Sequence, residues 1–229
     1  MDNQPRCSKR TTVERVDTEA LEDSPRFEVL ALDIDGVLID PERGGLGHWT
    51  NELEQRHGIT RKDWREAFFM QVWDDVVCGR RPIEPAVSEA LVSLGSKVTV
   101  DELLDCWFDA DSVIINSAVQ LGAQAARAGY RTALVTNQEH RRAKYLRTLL
   151  GSSMHIDELV YSAEIGTQKH DPSFFVAATN RLQVHPQKIL FVDDTPINVQ
   201  RAAEAGWTAL HADPTGTWRA RTRTLLDLR

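Results

Sequence analysis

The chain has 229 residues, of which 41% are hydrophobic and 27% charged, and its formal net charge is −7. This composition is typical of a globular protein with a core, and it excludes disordered and fibrous classes of chain. The acidic balance argues against a general binder of nucleic acid or anionic membranes. No apolar run approaches the roughly 20 residues that span a bilayer. The length predicts one large domain, or a domain that carries an insertion.

The beginning of the chain and its cysteines indicate the compartment. Residues 1–24 are polar and are expected to form a tail outside the fold, and no apolar stretch follows their basic residues as in a secretory signal. The three cysteines, Cys7, Cys78 and Cys106, are far apart and form no Cys-x-x-Cys pair. This spacing argues against a disulfide framework and favours a reducing compartment. We therefore expect a cytoplasmic protein.

Five short apolar runs bounded by turn residues predict β-strands. In chain order they cover residues 27–33, 131–136, 155–162, 188–194 and 207–213. Helical patterns alternate with the last four runs, at residues 140–150, 172–182 and 196–205. Alternating strands and helices predict right-handed βαβ crossovers, and hence an α/β fold with a five-stranded parallel sheet covered by helices on both faces.

The stretch from residue 41 to residue 116 interrupts this alternation. It contains no convincing strand, but its amphipathic patterns predict helices at 47–57, 60–78, 84–94 and 100–109. We expect an all-helical cap of residues 41–116, inserted into a catalytic core of residues 25–40 and 117–229. A further helix at residues 112–128 would return the chain to the second strand. Aromatic residues at helical spacing in the insertion are expected to form its core rather than to contact substrate: Trp49, Trp64, Trp73 and Trp107.

Acidic residues follow two of the predicted strands. Asp33 and Asp35 come after the first, and Asp193 and Asp194 come after the fourth. Ligands of open parallel sheets bind beyond the carboxyl ends of the strands, so the two pairs should converge on one crevice. Two unit charges about 4 Å apart repel by about 4 kcal/mol at an effective dielectric constant near 20, so a cation must offset the repulsion. Oxygen ligands favour Mg²⁺, which in turn suits a phosphate substrate.

Two other strand ends carry residues that suit a phosphate ligand. Thr136 and Asn137 close the second strand, where a hydroxyl and backbone N–H groups at a helix start could hold phosphoryl oxygens. Lys169 follows the third strand, so it can bring a fixed positive charge to the same crevice. Taken singly, Asp33 and Asp35 or Thr136 would be ordinary helix N-caps, and Lys169 a solvated loop lysine.

Together, these residues and the inserted helices resemble the haloacid dehalogenase-like hydrolase superfamily over residues 27–213. The resemblance implies a Rossmann-like three-layer core with a mobile helical cap of the family's first cap class. It also implies phosphoryl transfer through an aspartyl-phosphate. Carried over to this chain, Asp33 would be the nucleophile and Asp35 the general acid and base. Lys169 would orient Asp33 and balance charge.

The resemblance also implies how the ligands are held. Thr136 and the backbone N–H of Asn137 would bind the phosphoryl oxygens. Mg²⁺ would be held by the carboxylates of Asp33 and Asp194 and by the main-chain carbonyl of Asp35. Asp193 would be a further ligand or would orient the others.

Three positions qualify the resemblance. His170 stands where relatives usually have proline, and it is expected to be exposed. Asn198 stands where relatives often carry an acid, and it is expected to support the metal site or its loop. The dehalogenases of the family lack an acid at the position of Asp35 and need no metal, so Asp35 favours a phosphate ester as substrate.

The predicted function is that of a Mg²⁺-dependent phosphatase acting on a small phosphorylated metabolite, without nucleic-acid or membrane partners. The enclosing cap disfavours phosphorylated proteins as substrates. Two alternatives stay open: a phosphosugar mutase with the same nucleophile, and a non-catalytic binding protein on the same fold. The sequence leaves the identity of the substrate and the oligomeric state open.

Overall fold

A computed structural model describes residues 26–40 and 46–228, with the backbone alone at residues 46–48. The predicted tail, residues 1–24, lies outside the described residues. Five strands form a single parallel sheet in the order β3-β2-β1-β4-β5. Their bounds are β1 Val29–Leu32, β2 Arg131–Thr136, β3 Glu158–Tyr161, β4 Ile189–Asp193 and β5 Thr208–His211.

Helices fill the long connection between β1 and β2. They are α1 Leu46–His57, α2 Arg61–Trp64, a π-helical turn Arg65–Phe69, α3 Met70–Val77, α4 Ile83–Ser93 and α5 Val100–Ala110. The remaining helices accompany the sheet. They are α6 Asn116–Arg127, α7 His140–Gly151, α8 Ser162–Ile165, α9 Pro172–Leu182, a 3₁₀ turn Pro186–Lys188, α10 Pro196–Glu204 and α11 Thr217–Leu225.

The central strand β1 is buried on both faces, which explains its continuous apolar run. Successive side chains of a strand point to opposite faces of the sheet. Leu30 and Leu32 accordingly pack in a cluster with residues of α6, α7 and α11. Val29 and Ala31 pack in a second cluster with residues of α9 and α10. The predicted α/β class, with a parallel five-stranded sheet between two helical layers, is confirmed.

The inserted helices have an apolar core of their own. Trp49, Trp64 and Phe68 are fully buried, and Trp107 is 4% exposed. The rings of Trp49 and Trp107 stack 5.1 Å apart, and those of Trp64 and Phe68 stack 5.0 Å apart. These aromatic residues hold the helices to one another, as their helical spacing predicts, and they form a cluster separate from the two that flank the sheet.

One predicted helix starts later than the sequence pattern indicates. The expected helix at 112–128 begins only at Asn116, because the residues before it are extended. The backbone N–H of Asp40 donates to the carbonyl of Val113 at 2.8 Å, and the N–H of Ile115 donates to the carbonyl of Leu38 at 2.8 Å. The segments that lead into and out of the insertion are therefore paired side by side.

The predicted strand at 155–162 is shorter in the structure, where it covers only Glu158–Tyr161. Asp157 marks the end of the ladder, because its backbone N–H donates to the carbonyl of Thr132 at 2.9 Å while its carboxylate accepts the N–H of Thr132 at 2.8 Å. A side-chain hydrogen bond thus closes the pairing of this edge strand with β2. In the parts of the chain that the structure describes, no helix combines the length and the apolar character needed to cross a bilayer.

The aromatic cluster beside β4 should contribute strongly to stability. Phe175 is fully buried, and its ring lies 5.5 Å from that of Phe191 and 5.2 Å from that of Trp207. We expect Phe175→Ala to lower the free energy of unfolding by about 3–5 kcal/mol, because it removes apolar contacts and leaves a cavity. Urea denaturation followed by tryptophan fluorescence measures the change. Val176→Ala is the matched control, since Val176 is 59% exposed on the same helix; an equal loss in both variants would contradict this account.

Candidate active site

The loop after β1 presents Asp33 at the carboxyl edge of the sheet. Its backbone N–H donates to the carbonyl of Val192 at 2.9 Å, and its carboxylate accepts the N–H of Ile34 at 2.7 Å. Gly36 follows in the left-handed conformation, with φ +79°, and a Cβ there would lie 2.1 Å from Oδ2 of Asp194. Glycine is required at this turn because both the backbone angle and the close approach exclude a side chain.

Lys169 lies between two carboxylates beneath this loop. Its Nζ is 2.6 Å from Oδ2 of Asp33 and 2.7 Å from Oδ2 of Asp193, and its side chain is 2% exposed. Burial opposes the charged form of the lysine, but the two carboxylates prevail and raise the pKa of Lys169 above its ordinary value. The ammonium group is therefore a permanent positive charge that fixes Asp33 and Asp193 relative to each other.

Three carboxylates form a cluster that could hold a metal ion. One oxygen from each of Asp33, Asp193 and Asp194 lies within 4.8 Å of the others. Ligands on opposite sides of a Mg²⁺ ion are about 4.2 Å apart. Burial raises the pKa of Asp33 well above its usual range in spite of Lys169, and burial together with the charge of Asp193 raises the pKa of Asp194. The three carboxylates share one ammonium group, that of Lys169, so the cluster keeps a net negative charge. Its all-oxygen donor set fits Mg²⁺.

Asp193 is the most fully bonded member of the cluster. One of its oxygens accepts from Lys169, and the other accepts the backbone N–H of Thr195 at 2.8 Å. Nδ2 of Asn198, which is 4% exposed, adds contacts of 3.2 Å and 3.3 Å to the two oxygens. These protein donors suit Asp193 to an orienting role, and they place Asn198 beside the cluster.

Thr136 and Asn137 reach the same edge of the sheet from β2. Thr136 is the last residue of that strand and is 1% exposed. The side chain of Asn137 has a contact that the sequence did not predict: its Oδ1 accepts the backbone N–H of Lys169 at 2.9 Å. Asn137 thus fixes the loop that carries the lysine. His170 is exposed.

Asp35 stands apart from the carboxylate cluster. Nε2 of Gln138 lies 2.5 Å from its Oδ2, and Nη2 of Arg142 lies 3.1 Å from its Oδ1. Its side chain is 44% exposed. Of the predicted site residues, Asp33, Asp193, Asp194 and Lys169 therefore converge directly, whereas the carboxylate of Asp35 has other partners.

Sequence reasoning missed these partners. Arg142 is 2% exposed on α7, at the start of a row with Leu146 and Leu150 that faces the core. A charged residue in the apolar row of a helix was the available signal, because a buried charge needs a partner. Asp111, which directly follows the last inserted helix α5, lies 3.4 Å from Arg142. Burial raises the pKa of Asp111 from 3.8 to about 6, although Arg142 opposes the rise.

A match to the haloacid dehalogenase-like hydrolase family covers residues 27–206 of this chain. The chain belongs to this family. Curated relatives of this hydrolase include the validoxylamine A 7'-phosphate phosphatase of Streptomyces hygroscopicus subsp. limoneus, 26% identical over 79% of this chain and 83% of the relative. They also include the N-acetylmuramic acid 6-phosphate phosphatase of Pseudomonas aeruginosa, 25% identical over 79% of each chain.

Solved structures of the haloacid dehalogenase-like family share the fold. A magnesium complex of a family enzyme from Bacteroides thetaiotaomicron has a TM-score of 0.71 and 20% identity, over 86% of this chain and 99% of that one. The L-2-haloacid dehalogenase of Xanthobacter autotrophicus has a TM-score of 0.59 and 18% identity, over 89% of both chains. At these identities the structural likeness establishes the fold of the hydrolase alone.

The raised pKa of Asp111 makes stability depend on pH. The folded chain holds this proton up to about pH 6, whereas the unfolded chain releases it near pH 3.8. The stabilising contribution is therefore complete below the unfolded value and is lost as pH rises through the folded one. Between pH 5 and pH 7.5, the free energy of unfolding of the wild type should fall by about 1 kcal/mol relative to Asp111→Asn, which has no proton to lose there.

Urea denaturation of both proteins at the two pH values measures this difference. The comparison uses the change with pH within each protein, so a constant loss of stability in the variant does not affect it. A pH-independent gap between wild type and Asp111→Asn would contradict the assignment.

Proposed function

We propose that this hydrolase is a Mg²⁺-dependent phosphatase that cleaves a small phosphorylated metabolite through an aspartyl-phosphate on Asp33. The observation that carries the proposal is the buried contact of Lys169 with Asp33 and Asp193, next to the third carboxylate, Asp194. A fixed ammonium group beside three carboxylates, which leave the cluster net negative, suits a site that binds a cation and a phosphoryl group together. The phosphatases named above among the curated relatives support the same reaction class.

The metal would be held by the carboxylates of Asp33 and Asp194 and by the main-chain carbonyl of Asp35. Asp193, occupied by protein donors, would orient this set with the help of Asn198. When bound, Mg²⁺ would supply positive charge beside the phosphoryl oxygens and so stabilise the charge that develops during transfer.

Two displacements at phosphorus would complete the reaction. In the first, a carboxylate oxygen of Asp33 forms a bond to phosphorus, the bond from phosphorus to the leaving oxygen breaks, and Asp35 gives that oxygen a proton. In the second, Asp35 takes a proton from water while the water oxygen bonds to phosphorus. The bond from phosphorus to Asp33 then breaks, and inorganic phosphate is released.

The remaining residues would hold the phosphoryl group in line for attack. Thr136 and the backbone N–H of Asn137 would donate to its oxygens, from the end of the strand next to β1. Lys169 would keep Asp33 oriented and balance charge, since two carboxylates hold its ammonium group in place. Each of these groups acts by positioning and by electrostatics, which dominate phosphoryl transfer.

The helical insertion would restrict the substrate to small molecules. It contacts the carboxyl edge of the sheet where Oγ of Ser162 donates to the carbonyl of Val77 at 2.6 Å. Gly79 packs so closely there that a Cβ would lie 2.2 Å from the carbonyl oxygen of Ala163. We propose that residues 41–116 form a cap over the site and that the cap selects the metabolite. The named substrates of the two relatives are small phosphorylated compounds.

We place this activity in the cytoplasm, on the strength of the cysteine pattern. Cys78 and Cys106 are free thiols in the structure. Widely spaced free thiols suit a reducing compartment.

The first experiment measures phosphate release from a panel of phosphorylated metabolites, with and without Mg²⁺. We expect turnover that requires Mg²⁺ and that falls by at least about 10³-fold in Asp33→Asn, because the amide is not a nucleophile. Glu28→Gln is the matched control, because Glu28 is exposed and directly precedes β1, at the edge of the sheet opposite the site. Isomerisation of a sugar phosphate without net phosphate release would instead support a mutase. Activity that survives in Asp33→Asn would contradict the proposed nucleophile.

Metal binding can be tested separately from turnover. We expect Mg²⁺ to raise the midpoint of thermal unfolding of the wild type, because a ligand that binds only the folded state stabilises it, by about 2.7 kcal/mol at 100 times the dissociation constant. Asp194→Asn should lose most of this shift, since it removes a charged ligand. Asp213→Asn, on the exposed turn after β5, should keep it. An equal shift in both variants would place the metal elsewhere.

A further inference from the structure

Arg142 is a buried guanidinium whose contacts lie on one amino group. Its side chain is 3% exposed. Nη2 lies 2.8 Å from the backbone carbonyl oxygen of Asp111, 3.1 Å from Oδ1 of Asp35 and 3.4 Å from Oδ2 of Asp111. Nη1 is buried and has no hydrogen-bond partner among the described residues. Burial of a charge is costly unless the charge is well paired, so stability alone does not explain an arginine here.

The same arrangement holds Asp35 from two sides. Arg142 donates to one carboxylate oxygen, and Nε2 of Gln138 donates to the other at 2.5 Å. Gln138 is itself fixed, because its backbone N–H donates to Oγ of Ser162 at 2.9 Å and its carbonyl accepts the N–H of Ala163 at 3.2 Å. A carboxylate with a donor on each oxygen cannot rotate freely. Asp35 is nevertheless 44% exposed, so it remains accessible to a substrate.

Arg142 also contacts the end of the helical insertion. Asp111 directly follows α5, and Nε1 of Trp107 lies 3.2 Å from its Oδ2. The ring of Phe108, also on α5, lies 5.8 Å from Cζ of Arg142. The guanidinium therefore connects the last helix of the insertion to Asp35.

We propose that Arg142 is a positioning residue for Asp35 and that it ties the orientation of this carboxylate to the last helix of the insertion. The inference rests on the proposed function, in which Asp35 transfers the proton to the leaving oxygen. Arg142 acts through Asp35 and does not touch the phosphoryl group. Its loss therefore impairs proton transfer and leaves the attack by Asp33 intact.

Two aryl phosphates of similar shape separate these effects. The phenolate that leaves p-nitrophenyl phosphate needs little protonation, whereas the one that leaves phenyl phosphate is a poorer leaving group and needs a proton. Release of the phenol is measured in a single turnover with enzyme in excess and Mg²⁺ present. The proteins are the wild type, Arg142→Ala, Arg142→Lys, the reference variant Asp35→Asn, and Arg147→Ala, a control at an exposed position of the same helix.

With phenyl phosphate, we expect Arg142→Ala to lower the single-turnover rate by about 10- to 100-fold, a large part of what general acid catalysis contributes. With p-nitrophenyl phosphate, the loss stays within about threefold, because that step needs little proton transfer. Arg142→Lys keeps the positive charge and one donor nitrogen. Its single-turnover rate therefore also falls more with phenyl phosphate than with p-nitrophenyl phosphate, but by a smaller factor than in Arg142→Ala. Arg147→Ala behaves as the wild type.

Equal losses with both substrates, or no loss with either, would overturn the inference. If Arg142→Ala does not fold, Arg142→Lys decides by the same criterion of selectivity. Asp35→Asn distinguishes a failure of the positioning role of Arg142 from a failure of the proposed function. If Asp35→Asn shows the selective loss and the Arg142 variants do not, the positioning role fails and the proposed function stands. If Asp35→Asn shows no selectivity, the proposed role of Asp35 in proton transfer fails as well.

Discussion

The buried contact of Lys169 with Asp33 and Asp193 is the interaction on which the site depends. Asp33 directly follows β1, Asp193 is the last residue of β4, and the lysine comes from the segment after β3. An ammonium group 2% exposed is tolerable only with both carboxylates in place, and they in turn need its charge. The interaction therefore forms only when the sheet places the carboxyl ends of β1, β3 and β4 at the same edge. The fold and the site thus depend on each other.

Much of this arrangement is predictable from the chain alone. The apolar runs around Leu30 and Leu190 identify strands buried on both faces, and the acids that follow them identify the edge where a ligand binds. These features are local, since period and flanking residues are read directly from the sequence. The helix boundary near Val113 was predicted wrongly, because the pairing of residues 113–115 with residues 38–40 is a tertiary contact that overrides a helical pattern.

The partners of Asp35 were missed for a related reason. Gln138 and Arg142 are separated from Asp35 by 103 and 107 positions, so no short motif contains both sides of the contact. Only the placement of Arg142 in the apolar row of its helix hints that a distant partner exists. A sequence pattern thus identifies the groups that react more readily than those that hold them in place, because holding depends on how the helices pack.

The pairing of residues 38–40 with residues 113–115 has a consequence for how this protein can change. The two segments that connect the sheet to the inserted helices lie side by side at this joint, paired by backbone hydrogen bonds at Asp40 and Ile115. Backbone pairing makes little demand on side-chain identity. An insertion of different length or shape could be grafted at this joint while the sheet and its carboxylates stay in register. The inserted helices, and with them the range of substrates, can therefore change while the catalytic residues at the sheet stay the same.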